Sequence, residues 1–129
     1  MELIATTPYY TYCVDKAKNR LYVTYRGDWL KPFGFCDCLR HHEEAISQLT
    51  PGFTILADWR EMESLVITDI IEECHKQDIA AGVGKLARVY AHPTFKEIQA
   101  CSVSKRTGIT ARPFYDFAEA ESWLDGIQS

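Results

Sequence analysis

From residue 50 onward the chain alternates between two periods: short, nearly continuous apolar runs and, between them, segments whose apolar side chains recur every three or four residues. Such runs suit strands covered on both faces, and the longer segments suit amphipathic helices. Strands joined through helices run parallel, with right-handed crossovers. The alternation therefore restricts the fold to an α/β domain with a mostly parallel sheet. The order expected over residues 1–129, taken as one domain, is ββαβαβαβα.

Residues 10–14 and 20–25 are aromatic and β-branched runs separated by Asp15-Lys16-Ala17-Lys18-Asn19, which predicts a β-hairpin. The first helix spans about residues 33–49, with Phe35, Cys38, Leu39, His42, Ile46 and Leu49 on one stripe, and Thr50-Pro51-Gly52 stops it. Phe53-Thr54-Ile55-Leu56-Ala57 reads as a central strand. Thr68-Asp69 starts a second helix that turns Ile70, Ile71, Cys74 and Ile79 inward as far as Gly82. After a strand over residues 86–90, Thr94 and Glu97 predict a capping box for a helix burying Phe95, Ile98 and Cys101 and closed by Gly108. A last strand over residues 110–114 leads to a helix capped by Asp116 and Glu119, with Phe117, Ala120, Leu124 and Ile127 inward.

Composition removes several function classes. The formal net charge is -4 and the Lys and Arg residues are scattered, so the basic footprint of a nucleic-acid binder is missing. No apolar run approaches the ~20 residues of a spanning helix, so stable membrane insertion is not expected. The start lacks the basic, apolar and small-residue succession of a secretory leader, which points to the cytoplasm. The 5 cysteines, an odd number at irregular spacings, read as reduced. Cys36, Cys38, His41 and His42, with Cys74 and His75 further on, are residue types that zinc prefers. Residues two apart on a helix point to separate sides, so only Cys38 and His42 are well spaced, and the cysteines are read as apolar filler. No metal and no cofactor is expected.

In a parallel sheet of this kind the carboxyl ends of the strands share one edge, where ligands favour binding. That edge collects Asp28 and Trp29, then Asp58, Trp59, Arg60, Glu61 and Met62, then His92, then Tyr115 and Asp116. Asp58, Arg60 and Glu61 with His92 would supply an acid, a base and an anion anchor. Trp29, Phe33, Phe35, Trp59 and Met62 would crowd the edge as an apolar patch, either core or, if exposed, a partner surface or the mouth of a lipid-like pocket.

Taken together, the hairpin Tyr12-Cys13-Val14-Asp15 through Arg20-Leu21-Tyr22-Val23, the segment from Leu49 through Ala57-Asp58-Trp59-Arg60-Glu61-Met62, and the ending Phe117-Ala118-Glu119-Ala120-Glu121-Ser122-Trp123-Leu124 resemble the STAS-like, or SpoIIAA-like, family, in its STAS/SEC14-like branch. The resemblance covers nearly the whole chain. It implies a bacterial regulatory module whose partner is a protein, a regulatory kinase or an anti-sigma factor. In the family's anti-sigma factor antagonists a serine at the start of the helix after the central strand is phosphorylated, and the position here that matches it is Thr68. The paired serines and following glycine of that switch are absent, and Ile70-Ile71 stands where small residues would be. The resemblance thus implies an interaction domain without the paired-serine switch.

Three functions follow as expectations. The first is a non-enzymatic cytoplasmic regulatory or protein-interaction domain acting through Trp29, residues 58–62 and His92. The second is a carrier of a small apolar ligand between the first two helices and the sheet, and the third an enzyme using Asp58 and His92. A homodimer through an edge strand at residues 10–14 is also expected.

Overall fold

Pairing begins one strand earlier than the sequence pattern suggests. The computed structural model describes residues 1–29, 35–65 and 68–126. Its elements are β1 (Glu2–Thr6), β2 (Tyr10–Asp15), β3 (Arg20–Trp29), α1 (Phe35–Ile46), β4 (Thr54–Leu65), α2 (Thr68–Ala80), β5 (Lys85–Val89), α3 (Phe95–Thr107), β6 (Ala111–Phe114) and α4 (Phe117–Leu124). They build a 6-stranded sheet in the order β1-β2-β3-β4-β5-β6. β1, β2 and β3 are antiparallel, and β3 to β6 run parallel, as the crossovers require. The expected α/β fold is present with β1 added in front. β1 therefore takes the edge position expected of residues 10–14, and β2 is paired on both sides.

The two faces of the sheet carry separate cores. On one, Tyr12, Val14, Leu21, Val23, Ile55, Trp59, Leu86 and Tyr90 pack with Cys38, Ala45 and Ile46 of α1, Ile70, Ile71 and Cys74 of α2, and Ala100 and Val103 of α3. On the other, Leu56, Ala87, Val89 and Phe114 pack with Ala120 and Leu124 of α4. Residues alternate between these sets along β4 and β5, the period of two expected of strands buried on both faces.

Helix ends follow the predicted chemistry. The Thr94 side chain accepts from the Glu97 amide and the Asp116 side chain from the Glu119 amide. The Thr94 box is not reciprocal, because the Glu97 carboxylate accepts from the Tyr115 hydroxyl at 2.5 Å. Gly82, at φ 90°, ends α2 where an added Cβ would stand 3.0 Å from Pro51 Cβ, so the turn after α1 and the turn after α2 touch.

Three inward assignments are corrected. Ile79 is 45% exposed, and on α3 Phe95 and Ile98 are 72% and 64% exposed. α3 instead buries the small face of Ala100, Val103 and Ser104, which lets it lie close to α2. Phe33 and Ile127 lie outside the described residues, as do the side chains of Phe35, Cys36, Thr68 and Asp69.

Candidate functional site

β4 does not end at Ala57. It continues to Leu65 beside an equally prolonged β3, and two irregularities in the pairing, between Thr24/Arg26 and between Gly27/Asp28, keep the strands in step. The stretch expected as a loop after the third strand is thus strand, and its side chains divide between the faces. Asp58 points to the α4 side, where its carboxylate accepts from the Arg60 amide at 3.0 Å and from the Arg60 guanidinium at 3.0 and 2.8 Å. Arg60 lies 5.6 Å over the Phe117 ring. Glu61 is exposed, with a distant ion pair to Arg26 at 3.9 Å. Trp59 and Met62 face the other way and are buried, as is Trp29, whose indole donates to the Arg26 carbonyl at 2.9 Å. Of the five apolar residues expected in the edge patch, the three whose side chains are described, Trp29, Trp59 and Met62, are therefore core.

Trp29, Trp59 and Met62 line a cavity of about 40 Å³ under α1 and α2, together with Tyr25, Cys38, His42, Cys74, His75, Asp78 and Arg88. Its polar wall was not foreseen as a group, and it forms two networks. In the first, the Tyr12 hydroxyl meets the Tyr25 hydroxyl at 3.2 Å and His42 Nδ1 at 3.1 Å, while His42 Nε2 bonds the Asp78 carboxylate at 2.6 Å. Burial works against a charged His42, but Cys74 and Asp78 work for it by charge and hydrogen bonding, and its pKa ends well above 6.5. Burial pushes the Cys38 thiol up to about 12, assisted by Cys74, so it is no nucleophile.

In the second network, Arg88 donates to His75 Nε2 at 2.7 Å, and His75 Nδ1 lies 3.0 Å from the Thr107 hydroxyl, which itself donates to the Ser104 carbonyl. With the Thr107 proton so placed, Nδ1 carries the imidazole hydrogen and Nε2 accepts. Burial, then Arg88 and His42, push His75 down to about 3, so it is neutral. Arg88 is 3% exposed and, among the described residues, has no carboxylate partner. Its guanidinium instead lies 5.5 Å from the Trp59 ring centroid. A single arginine within the apolar run Leu86 to Tyr90 is the sequence sign that could have found this site.

At the carboxyl ends of β4 and β5, before α3, lies a groove of about 340 Å³ lined by Trp59, Arg60, Met62, Glu63, Tyr90, Ala91, His92 and Thr94. The second half of β4 and the residues after β5 thus share one groove, with His92 exposed on it and its Nδ1 3.1 Å from the Pro93 carbonyl oxygen. Asp58 is not in this groove. It lines a different one of about 280 Å³ on the α4 side, with Tyr22, Phe117 and Glu121. Asp58 and His92 therefore do not share a cleft, and the pairing the enzyme reading requires does not form. Thr68 is the first residue of α2.

No protein-family model matches the sequence, and no curated protein is significantly similar to it. The fold is similar to the crystal structure of an uncharacterized DUF3478-family protein with a SpoIIAA-like fold from Shewanella loihica PV-4, with TM-score 0.67 and 15% identity over 93% of this chain and 97% of that one. The fold is accordingly SpoIIAA-like, as the sequence resemblance implied. No helix among the described residues is long and apolar enough to cross a membrane.

Proposed function

We propose that this chain is a non-enzymatic regulatory interaction domain that meets a protein partner at the rim formed by Arg60, Glu61, Glu63 and His92. One observation carries the reading: the residues with acid–base chemistry are held apart, Asp58 committed to Arg60 on one face and His92 on the other groove's edge, while the rim between them is charged and exposed. The SpoIIAA-like fold agrees with a regulatory role, with a kinase or an anti-sigma factor as the partner class. Thr68, at the start of α2, is the position where a phosphate would meet a helix amino terminus, which favours its charge, next in sequence to Asp69, whose carboxylate opposes it. The carrier reading draws no support from the cavity, because about 40 Å³ holds a few waters whereas ligand pockets run to roughly 300–1,000 Å³.

The test places a photo-crosslinking amino acid at Glu61, at Glu63 and, at the other end of the sheet, at Lys16. The same protein adduct is expected from both rim positions and not from Lys16, with its yield altered in Thr68→Glu relative to Thr68→Ala. Adducts identical from all three positions, or none from the rim, would contradict the reading.

A further inference from the structure

The cavity under α1 and α2 has a charge that nothing in its wall answers. Arg88 lines it from β5 and is 3% exposed. Its guanidinium donates to the neutral His75 at 2.7 Å, reaches the Tyr90 hydroxyl and lies over the Trp59 ring, and none of the three brings negative charge. A guanidinium carries more N–H donors than two neutral acceptors occupy. Asp78 is the one carboxylate among the described lining residues, and His42 holds it at 2.6 Å. His42 keeps its proton well above pH 6.5, so that pair is neutral as a whole. The other titratable lining groups, Cys38, Cys74 and Tyr25, are thiols and a phenol, uncharged at pH 6. The wall therefore sums to one positive charge, and a buried guanidinium without an opposite charge is costly.

Size and lining select what answers that charge. About 40 Å³ has room for a few water-sized bodies, hence for one small ion and not for an amphiphile or a phosphate ester. Val23, Ile55, Ile70 and Leu86 give the wall apolar surface, which cannot replace the water of a strongly hydrated ion. A doubly charged anion would leave one negative charge over. We infer that this cavity binds one small, weakly hydrated monoanion of the halide and nitrate class as the counter-ion of Arg88. An ion there is walled by β5, α1 and α2 at once, so its occupancy is linked to the stability of the fold. The inference concerns the interior of the domain and does not depend on the partner reading of the rim.

Bromide serves as the test ion. The protein is unfolded by heat at pH 6 and constant ionic strength while sodium bromide replaces sodium fluoride, whose strongly hydrated anion the apolar wall refuses, and it is crystallised from bromide for anomalous diffraction. A saturable rise in melting temperature through the millimolar range is expected, opposite to the general salt effect, in which strongly hydrated salts stabilise. One anomalous peak is expected inside the cavity beside the Arg88 guanidinium. Nitrate should act like bromide, and sulfate at least about tenfold more weakly. Arg88→Met should weaken bromide binding at least about tenfold, whereas Arg60→Gln, at the surface ion pair with Asp58, should leave it unchanged. A cavity holding only water, or a melting temperature that follows bromide equally in the Arg88→Met protein, overturns the inference. A peak without a saturable effect in solution marks an adventitious ion only and overturns it as well. Should Arg88→Met fail to fold, the wild-type peak together with the saturable rise supports the inference, and the lack of either overturns it. Failure here with rim crosslinks intact would leave the interaction reading standing.

Discussion

Two buried arginines sit on opposite faces of the sheet and are treated in opposite ways. Arg20, 2% exposed on the α4 side, donates to Thr54 at 2.9 Å, to Asp125 at 2.7 Å and to Glu121, which also accepts from Tyr22 at 2.7 Å. Arg88, equally buried on the other side, has a neutral imidazole, the Tyr90 hydroxyl and the Trp59 face, and no carboxylate among the described residues. Taking a guanidinium out of water is costly unless carboxylates and hydrogen bonds replace the solvent. Arg20 meets that condition, and by doing so ties β3 and β4 to α4. Arg88 does not, and beside it the Trp59 indole N–H has no hydrogen-bond partner. The difference teaches that the α4 face is a closed structural clamp, whereas the face behind the rim groove keeps charge and donors in reserve.

Loss of one partner from a fully buried pair should give the largest effect. Asp78→Ala leaves His42 without its carboxylate and is expected to cost roughly 3–5 kcal/mol in urea unfolding. On the clamp side Asp125→Ala leaves Arg20 with Glu121, and a loss of about 1 kcal/mol is expected. Equal losses would erase the contrast between the fully buried His42–Asp78 pair and the partly exposed Asp125.

The next effect is read in pH. His75 has its folded pKa depressed to about 3 from 6.5, so below about pH 6.5 the unfolded chain takes up a proton that the folded chain refuses. Stability is lost as pH falls from about 6.5 toward 3, by at most about 1.4 kcal/mol per pH unit, and the wild type should converge on His75→Gln over that window. His42 acts in the opposite sense. Its raised pKa stabilises the fold fully below 6.5 and that contribution is lost as pH rises through the folded value. Unfolding measured from pH 4 to 9 should therefore peak near 6.5, and a difference between wild type and His75→Gln that does not vary with pH would remove the buried neutral imidazole from the account.

The smallest effect is a control on the comparison. Thr94→Ala before α3 and Asp116→Ala before α4 each remove one amino-terminal cap and should each cost about 1 kcal/mol in the same measurement. A clear inequality would mean that the faces differ in helix stability as well as in buried charge.

What could be read from the sequence was what depends on neighbours along the chain. The hairpin, the Thr94 and Asp116 caps, the glycine stops and the apolar runs at Ile55 and Leu86 all have local causes, and the structure repeats them. β1 was illegible because Leu3 and Ile4 sit on an exposed edge whose order comes from pairing with β2, which leaves no alternation to see. The extension of β4 through Trp59 and Met62 was hidden because it depends on β3 continuing to Trp29, a contact between residues over thirty positions apart. On α3 the large side chains Phe95 and Ile98 misled the helical stripe, since close packing against α2 selects the small residues Ala100 and Ser104. The candidate site was legible as a rim and not as a constellation. His92 and Trp59 meet there, while Asp58 faces the other way, and Tyr90, Arg88, His75 and Asp78 acquire meaning only once β5 and α2 are folded against one another.

The central claim, that one buried arginine is spent on the fold and the other is held in reserve, is tested most directly by replacing each with methionine and comparing urea unfolding side by side. Arg20→Met should lose roughly 2–3 kcal/mol, because Glu121, Asp125 and the Thr54 hydroxyl lose a shared donor. Arg88→Met should stay within about 1 kcal/mol of the wild type, since removing an uncompensated buried cation offsets the orphaned His75 Nε2. A loss for Arg88→Met as large as that for Arg20→Met would show that both arginines hold the fold together, and the contrast would be wrong.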